Sequence, residues 1–178
     1  MAGFLLRCLS LVLALVLIAL PGEAARDTDS YDGNIFALYA GNGSLVPPAT
    51  TLAESQAAGR TSVLVYYLDD SSTSKAFAPV VSELQRLWGR SVDLMPLTTD
   101  ALQDRATTGS NDPASYWHGH IPQVVVIDGA GSVLLDEEGQ VPLKAINAAI
   151  SQATGIAAPE GESTTLSFNE LNTEVQTR

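Results

Sequence analysis

The sequence predicts an α/β protein in which a central mixed sheet carries helices on both faces. Two observations lead there. Short apolar runs rich in β-formers, at residues 62–68, 92–97 and 123–128, alternate with segments whose apolar residues recur at helical spacing. Near the end, QVVVID and SVLLDEEG flank a tight GAG turn, which is the mark of a β-hairpin. At 178 residues the chain has room for one domain and its ends.

The elements follow in order. Residues 25–33 form a polar leading segment, and NIFALYA at 34–40 is short and apolar enough for a strand. GNGSLVPP at 41–48 is dense in turn residues. Thr51, with Glu54 three residues on, makes a capping-box pattern that opens a short helix over 52–58, ended by Gly59. Residues 62–68 read as a buried central strand. The segment 75–88 places Phe77, Val80, Val81, Leu84 and Leu87 on one helical face, and Asp70, Ser71 and Ser72 offer oxygens to the unpaired amides at its start. A strand at 92–97 and a helical turn at 100–105 come next, then a long polar loop, TTGSNDPASYWHGH. After the hairpin, a last amphipathic helix follows Pro142 and stops before Gly155. From residue 156 the chain is polar and acidic, as expected of a tail.

Charge and targeting narrow the function. A net charge of -11 and a pI near 4.3 argue against nucleic acid, whose affinity for proteins comes largely from Lys and Arg neutralising phosphates. Arg7 precedes an apolar run over residues 8–20, short for a membrane span and suited to an export signal, with small residues Gly22 and Ala24 before a cut after residue 24. The expected arrangement is a signal peptide, or an N-terminal membrane anchor, at 1–24, a domain at 34–155 and an acidic tail at 156–178. The chain has a single cysteine, Cys8, which cleavage would remove, so the exported domain would hold no thiol.

The order of elements, with Ser71-Ser72-Thr73-Ser74 followed by Lys75 and Ala78-Pro79, resembles the thioredoxin fold, whose CxxC-K-x-x-A-P motif opens the helix after a central strand. Ile121-Pro122-Gln123 resembles the Ile-Pro-Thr that carries the family's cis-proline before its hairpin. The departures concern the chemistry. Ser71 and Ser74 stand at the two sulfur positions, Val65 stands where thioredoxins hold a buried aspartate, and Asp70 replaces the preceding aromatic. A serine hydroxyl neither ionises usefully near neutral pH nor forms a disulfide, so thiol redox catalysis is excluded at this motif.

Other chemistry has weaker support. Ser71 with His118 or His120 would be a nucleophile and base only if the fold joined them, and serines at a helix start are usually caps. His118-Gly119-His120 is a sparse metal pattern, and Asp136-Glu137-Glu138 reads as a solvated strand edge. Asn42-Gly43-Ser44 fits a glycosylation acceptor or a plain turn. This reading assigns no cofactor and no metal.

The stretches YDGNIFALYAGNGSLVPP, YYLDDSS and QVVVIDGAGSVLLDEEGQVP resemble a cyanobacterial family of thioredoxin-like thylakoid membrane photosystem I accumulation factors. The similarity extends from Tyr31 to SFNELN. It implies a non-catalytic factor that supports photosystem I assembly or stability at the thylakoid membrane or in the lumen, with photosystem I subunits or assembly proteins as partners. A thioredoxin-like groove would hold extended peptide, with Asp69, Asp70, Ser71 and Ser74 as a polar rim and Ile121 and Pro122 as its backbone-facing edge. The alternatives are an exported enzyme of non-thiol chemistry using His118 and His120, and a structural lumenal subunit bound through the acidic tail.

Overall fold

A computed structural model describes residues 26–103 and 105–158. The signal or anchor expected at 1–24 and most of the expected tail lie outside them. Among the described residues no helix is long and apolar enough to cross a membrane.

Residues 34–40 form a helix, α1 (Ile35–Ala40), where a strand was expected. Local capping explains the difference. The Asn34 side chain accepts from the amides of Phe36 and Ala37, and Gly41 closes the helix at φ 61°, a left-handed conformation natural to glycine. In that form Ile35 and Phe36 both enter the core. The Thr51–Glu54 capping box is present and opens α2 (Leu52–Ala57).

Among the described residues the sheet has four strands: β1 (Ser62–Tyr67), β2 (Asp93–Thr98), β3 (Gln123–Ile127) and β4 (Val133–Glu138). Their order is β2-β1-β3-β4, with β1 parallel to β2 and antiparallel to β3, and with β3 and β4 as an antiparallel hairpin. The central strands β1 and β3 are buried throughout. Pro96 falls in β2, an edge strand, where its missing N–H costs no ladder bond to a neighbour. The hairpin turn is tied by Asp128 Oδ1, which accepts from the amides of Ala130 and Ser132. Gly129 there packs against backbone, since a Cβ would stand 2.1 Å from the Gly59 carbonyl oxygen.

Between β1 and β2 runs α3 (Ser72–Trp88), one turn longer at its start than the 75–88 expected from apolar spacing. The chain ends its described part with α4 (Leu143–Thr154), capped by left-handed Gly155. The helical turn expected at 100–105 is a 3-10 turn at Thr99–Ala101.

The two faces of the sheet are covered unequally. Val63, Val65, Val124 and Val126 face α1, α3 and α4 in the larger core. Leu64, Tyr66, Val125 and Ile127 face the other way, where α2 supplies Leu52 and the long loop supplies Tyr116, Trp117 and Ile121. Helices do lie on both faces, but on the second a single six-residue helix shares the work with a loop. That loop is built rather than slack. It contains a 3-10 turn at Pro113–Tyr116 capped by buried Asp112, and the Tyr66 hydroxyl donates to the Pro113 carbonyl at 2.7 Å.

Candidate functional site

The loop from β1 into α3 carries the four residues Ser71 to Ser74. Only one of the three expected side chains caps the helix. Ser71 Oγ accepts from the Ser74 amide at 3.3 Å and shares a 2.8 Å hydrogen bond with Thr73. The Ser72 amide is taken by Asp29 Oδ1 at 2.8 Å, and this bond to the helix start holds the Asp29 carboxyl below its usual range. Ser74 is buried, and its hydroxyl accepts from the Leu68 amide at 3.2 Å, which closes the turn between strand and helix. The hydroxyls of Ser71 and Ser74 are thus structural. Replacing Ser71 with alanine should cost about 1 kcal/mol, read as a lower urea midpoint at unchanged slope.

Asp69 turns away from the helix. Its Oδ1 accepts from the Ile35 amide at 3.2 Å, joining the end of β1 to α1. Burial, with Asp100 and Asp70 nearby, raises its carboxyl pKa, and the Ile35 bond opposes the shift. Asp70 is exposed. On the β3 side, the Ile121–Pro122 peptide is cis, Pro122 is buried and Ile121 is half-buried. Thr73 Oγ1 donates to the Ile121 carbonyl at 3.5 Å, so the motif and the segment before β3 do meet. Gln140 adds a bond from its side chain to the Thr73 carbonyl at 2.8 Å. Of the six rim and edge residues expected from sequence, Asp70, Ser71 and Ile121 keep a surface, whereas Ser74 and Pro122 are interior and Asp69 serves α1.

Lys75, which the motif resemblance includes, gains from the leading segment a role that its place in the motif does not indicate. The leading segment lies against the first turns of α3. Lys75 is fully buried, and its Nζ donates to Asp32 Oδ2 at 2.5 Å, to the Thr28 carbonyl at 3.0 Å and to Ser30 Oγ at 3.3 Å. Asp32 also accepts from the Tyr39 hydroxyl, and the Lys75 bond followed by this one lowers its carboxyl pKa. A basic residue on the apolar face of a helical pattern, matched by acids some forty positions earlier, was the available signal.

His118 and His120 meet carboxylates of β4 rather than Ser71. His118 Nε2 is 2.8 Å from Asp136 Oδ2, and His120 Nδ1 is 3.3 Å from Glu138 Oε2. Gln123, wholly buried, donates to Asp136 and to the Tyr116 carbonyl, both at 2.7 Å, and accepts from the His118 amide. Asp136 is therefore an anchor for the loop, not merely part of a solvated edge. Among the described residues no group of three or more His, Cys, Asp or Glu is placed to hold a metal ion.

No protein-family model matches the sequence. A thylakoid membrane protein of Synechocystis sp., slr1796, is 37% identical to it over 155 residues, covering 85% of this chain and 77% of the relative. The chain belongs to that protein's family. The matched length exceeds the sheet and its helices, so the relationship takes in the motif turn and the loop before β3 together.

Proposed function

We propose that this protein is a thiol-free, thioredoxin-like module of the thylakoid membrane that supports photosystem I assembly or accumulation without catalysing a reaction. The observation that carries the reading is the kinship with a cyanobacterial thylakoid membrane protein. Three structural features support the thioredoxin-like part. The strand order β2-β1-β3-β4 has the required directions, the motif turn follows the central strand, and Pro122 immediately precedes β3 beside that turn. Asp70, Ser71, Thr73 and Ile121 then form the surface that receives a partner's extended segment, through hydroxyls and backbone rather than sulfur. The photosystem I part rests on the sequence resemblance and needs a direct test.

That test is the light-induced absorbance change of the photosystem I primary donor, per chlorophyll, in the source organism with the gene disrupted. A selective fall with photosystem II intact is expected. An unchanged signal would remove the photosystem I role and leave a thylakoid-family module with another partner.

A further inference from the structure

A concavity lies at the carboxyl ends of β1 and β2, on the side of β1 away from β3. Its volume is about 480 Å³, within the range of small-molecule sites. None of the six rim and edge residues considered above lines it. Pro47, Pro96 and Pro113 converge on it from three separate parts of the chain, joined by Leu102. Rigid rings make a preformed apolar wall, so an occupant has little ordering cost to meet.

Three polar residues, Tyr67, Thr98 and Arg105, break that wall. Tyr67 is 4% exposed, with its ring fixed edge-on to Phe36 at 4.9 Å between centroids. Its hydroxyl has no hydrogen-bond partner among the described residues and is not enclosed, and Tyr67 is one of the residues that line the cavity. Burial, with Asp69 nearby, raises the phenol pKa and keeps it a donor. Among the described residues of the lining Arg105 is the one that carries a charge, with a side chain 43% exposed. One arm of its guanidinium engages Asp112, and the fork has other N–H donors to offer. An apolar chamber with a phenol donor and a cation, and no carboxylate among the described lining residues, complements an apolar body with an anionic end.

We propose that this cavity binds a small amphipathic carboxylate of the fatty-acid or aryl-acid class. The apolar body packs on the proline rings and Leu102, and the carboxylate accepts from Arg105 and the Tyr67 hydroxyl. This site is independent of the partner-binding surface and of the photosystem I role.

The experiment titrates the ¹⁵N-labelled full-length protein with decanoate, using decanol as the uncharged control, and follows amide shifts. Saturable shifts confined to the amides of Thr98, Ala101, Leu102 and Arg105 are expected below about 1 mM, with decanol at least about tenfold weaker. Leu102→Trp, which fills the chamber, should abolish binding. Tyr67→Phe, which keeps the ring, should weaken decanoate several-fold and leave decanol unchanged. Arg105→Gln should weaken decanoate about tenfold or more; because this change also touches Asp112, the other two variants carry the decision should it fail to fold. No localised shift by about 5 mM decanoate overturns the proposal, as does binding indifferent to Leu102→Trp. Equal affinity for decanoate and decanol overturns the carboxylate class.

Discussion

Replacing Trp88 with alanine should lower the unfolding free energy by about 3–5 kcal/mol, the largest loss expected from any single truncation in this domain. Trp88 closes α3 and is 1% exposed, packed in the core shared by α3, α4 and the sheet. Two losses combine. The removed ring leaves a cavity that the helices and β-branched strands around it fill only in part. Its indole N–H also donates to Asn147 Oδ1 at 2.8 Å, and Asn147, in α4, is 8% exposed, so its carbonyl would lose a partner where water does not easily reach. Trp88→Phe separates the terms, since it keeps most of the packing and drops only the bond, and should cost about 1–3 kcal/mol. Urea unfolding read by far-UV circular dichroism measures both. A Trp88→Ala loss no greater than that of Trp88→Phe would mean that the core collapses around the missing ring and that α4 is less tightly bound than its burial implies.

The second large effect is expected at Asp112. Its side chain is 5% exposed and organises the start of the loop. It caps the 3-10 turn through the Ala114 amide at 3.0 Å, accepts from the amide and hydroxyl of Thr108 at 3.0 Å each, and pairs with Arg105. Burial acts against the charge, but the Ala114, Arg105 and Thr108 bonds outweigh it and hold the carboxyl near a pKa of about 2, below its usual 3.8. Asp112→Ala should cost about 3 kcal/mol and loosen the loop from the second face of the sheet, because the buried Ala114 amide then loses its acceptor and the more exposed Thr108 and Arg105 lose the group that holds them together. Trp117, whose ring centroid is 5.4 Å from that of Tyr66, reports the loosening by fluorescence.

The same residue gives a pH signature. Its folded value is lower than its unfolded one, so its contribution is fully present above about pH 4 and is lost as pH falls towards about 2. Asp112→Asn keeps the shape but has no proton to bind, and should lack that part of the acid sensitivity. Equal acid dependence in the variant and the natural chain would place the acid-labile groups elsewhere.

Much of the arrangement was legible in the chain. Strands β1 and β3 are dominated by β-branched, aromatic and other apolar residues, and continuous burial is what a central strand requires. The Thr51–Glu54 box and the Asp128 turn were readable because their chemistry is complete within a few residues. The segment 34–40 differs from the expected strand for a related reason: the six apolar residues 35–40 suit either a strand or a buried helix, and the deciding feature, Asn34 with Gly41, flanks them. The helix starts at Ser72, three residues before the start that apolar spacing indicates, because that spacing begins only at Phe77.

The site was less legible than the fold. Four serines and threonines in a row show at once that no thiol chemistry resides there, since the sequence alone names the atoms. Which of them faces solvent depends on how the turn folds back on β1. Ser74 goes inside to cap Leu68, and Asp69 is drawn to α1 by an amide that a strand at 34–40 would not have offered.

By itself the sequence determined the acidic character, the two interior strands, the hairpin and the absence of sulfur from the motif, because each depends on composition or on neighbours along the chain. Tertiary structure alone decided the rest. It set Lys75 against Asp32, tied His118 and His120 to Asp136 and Glu138, and drew prolines from three segments around Tyr67 and Arg105. The physical reason is that a buried charge or a cavity is defined by partners distant in sequence, and strand order and helix docking choose which of them meet.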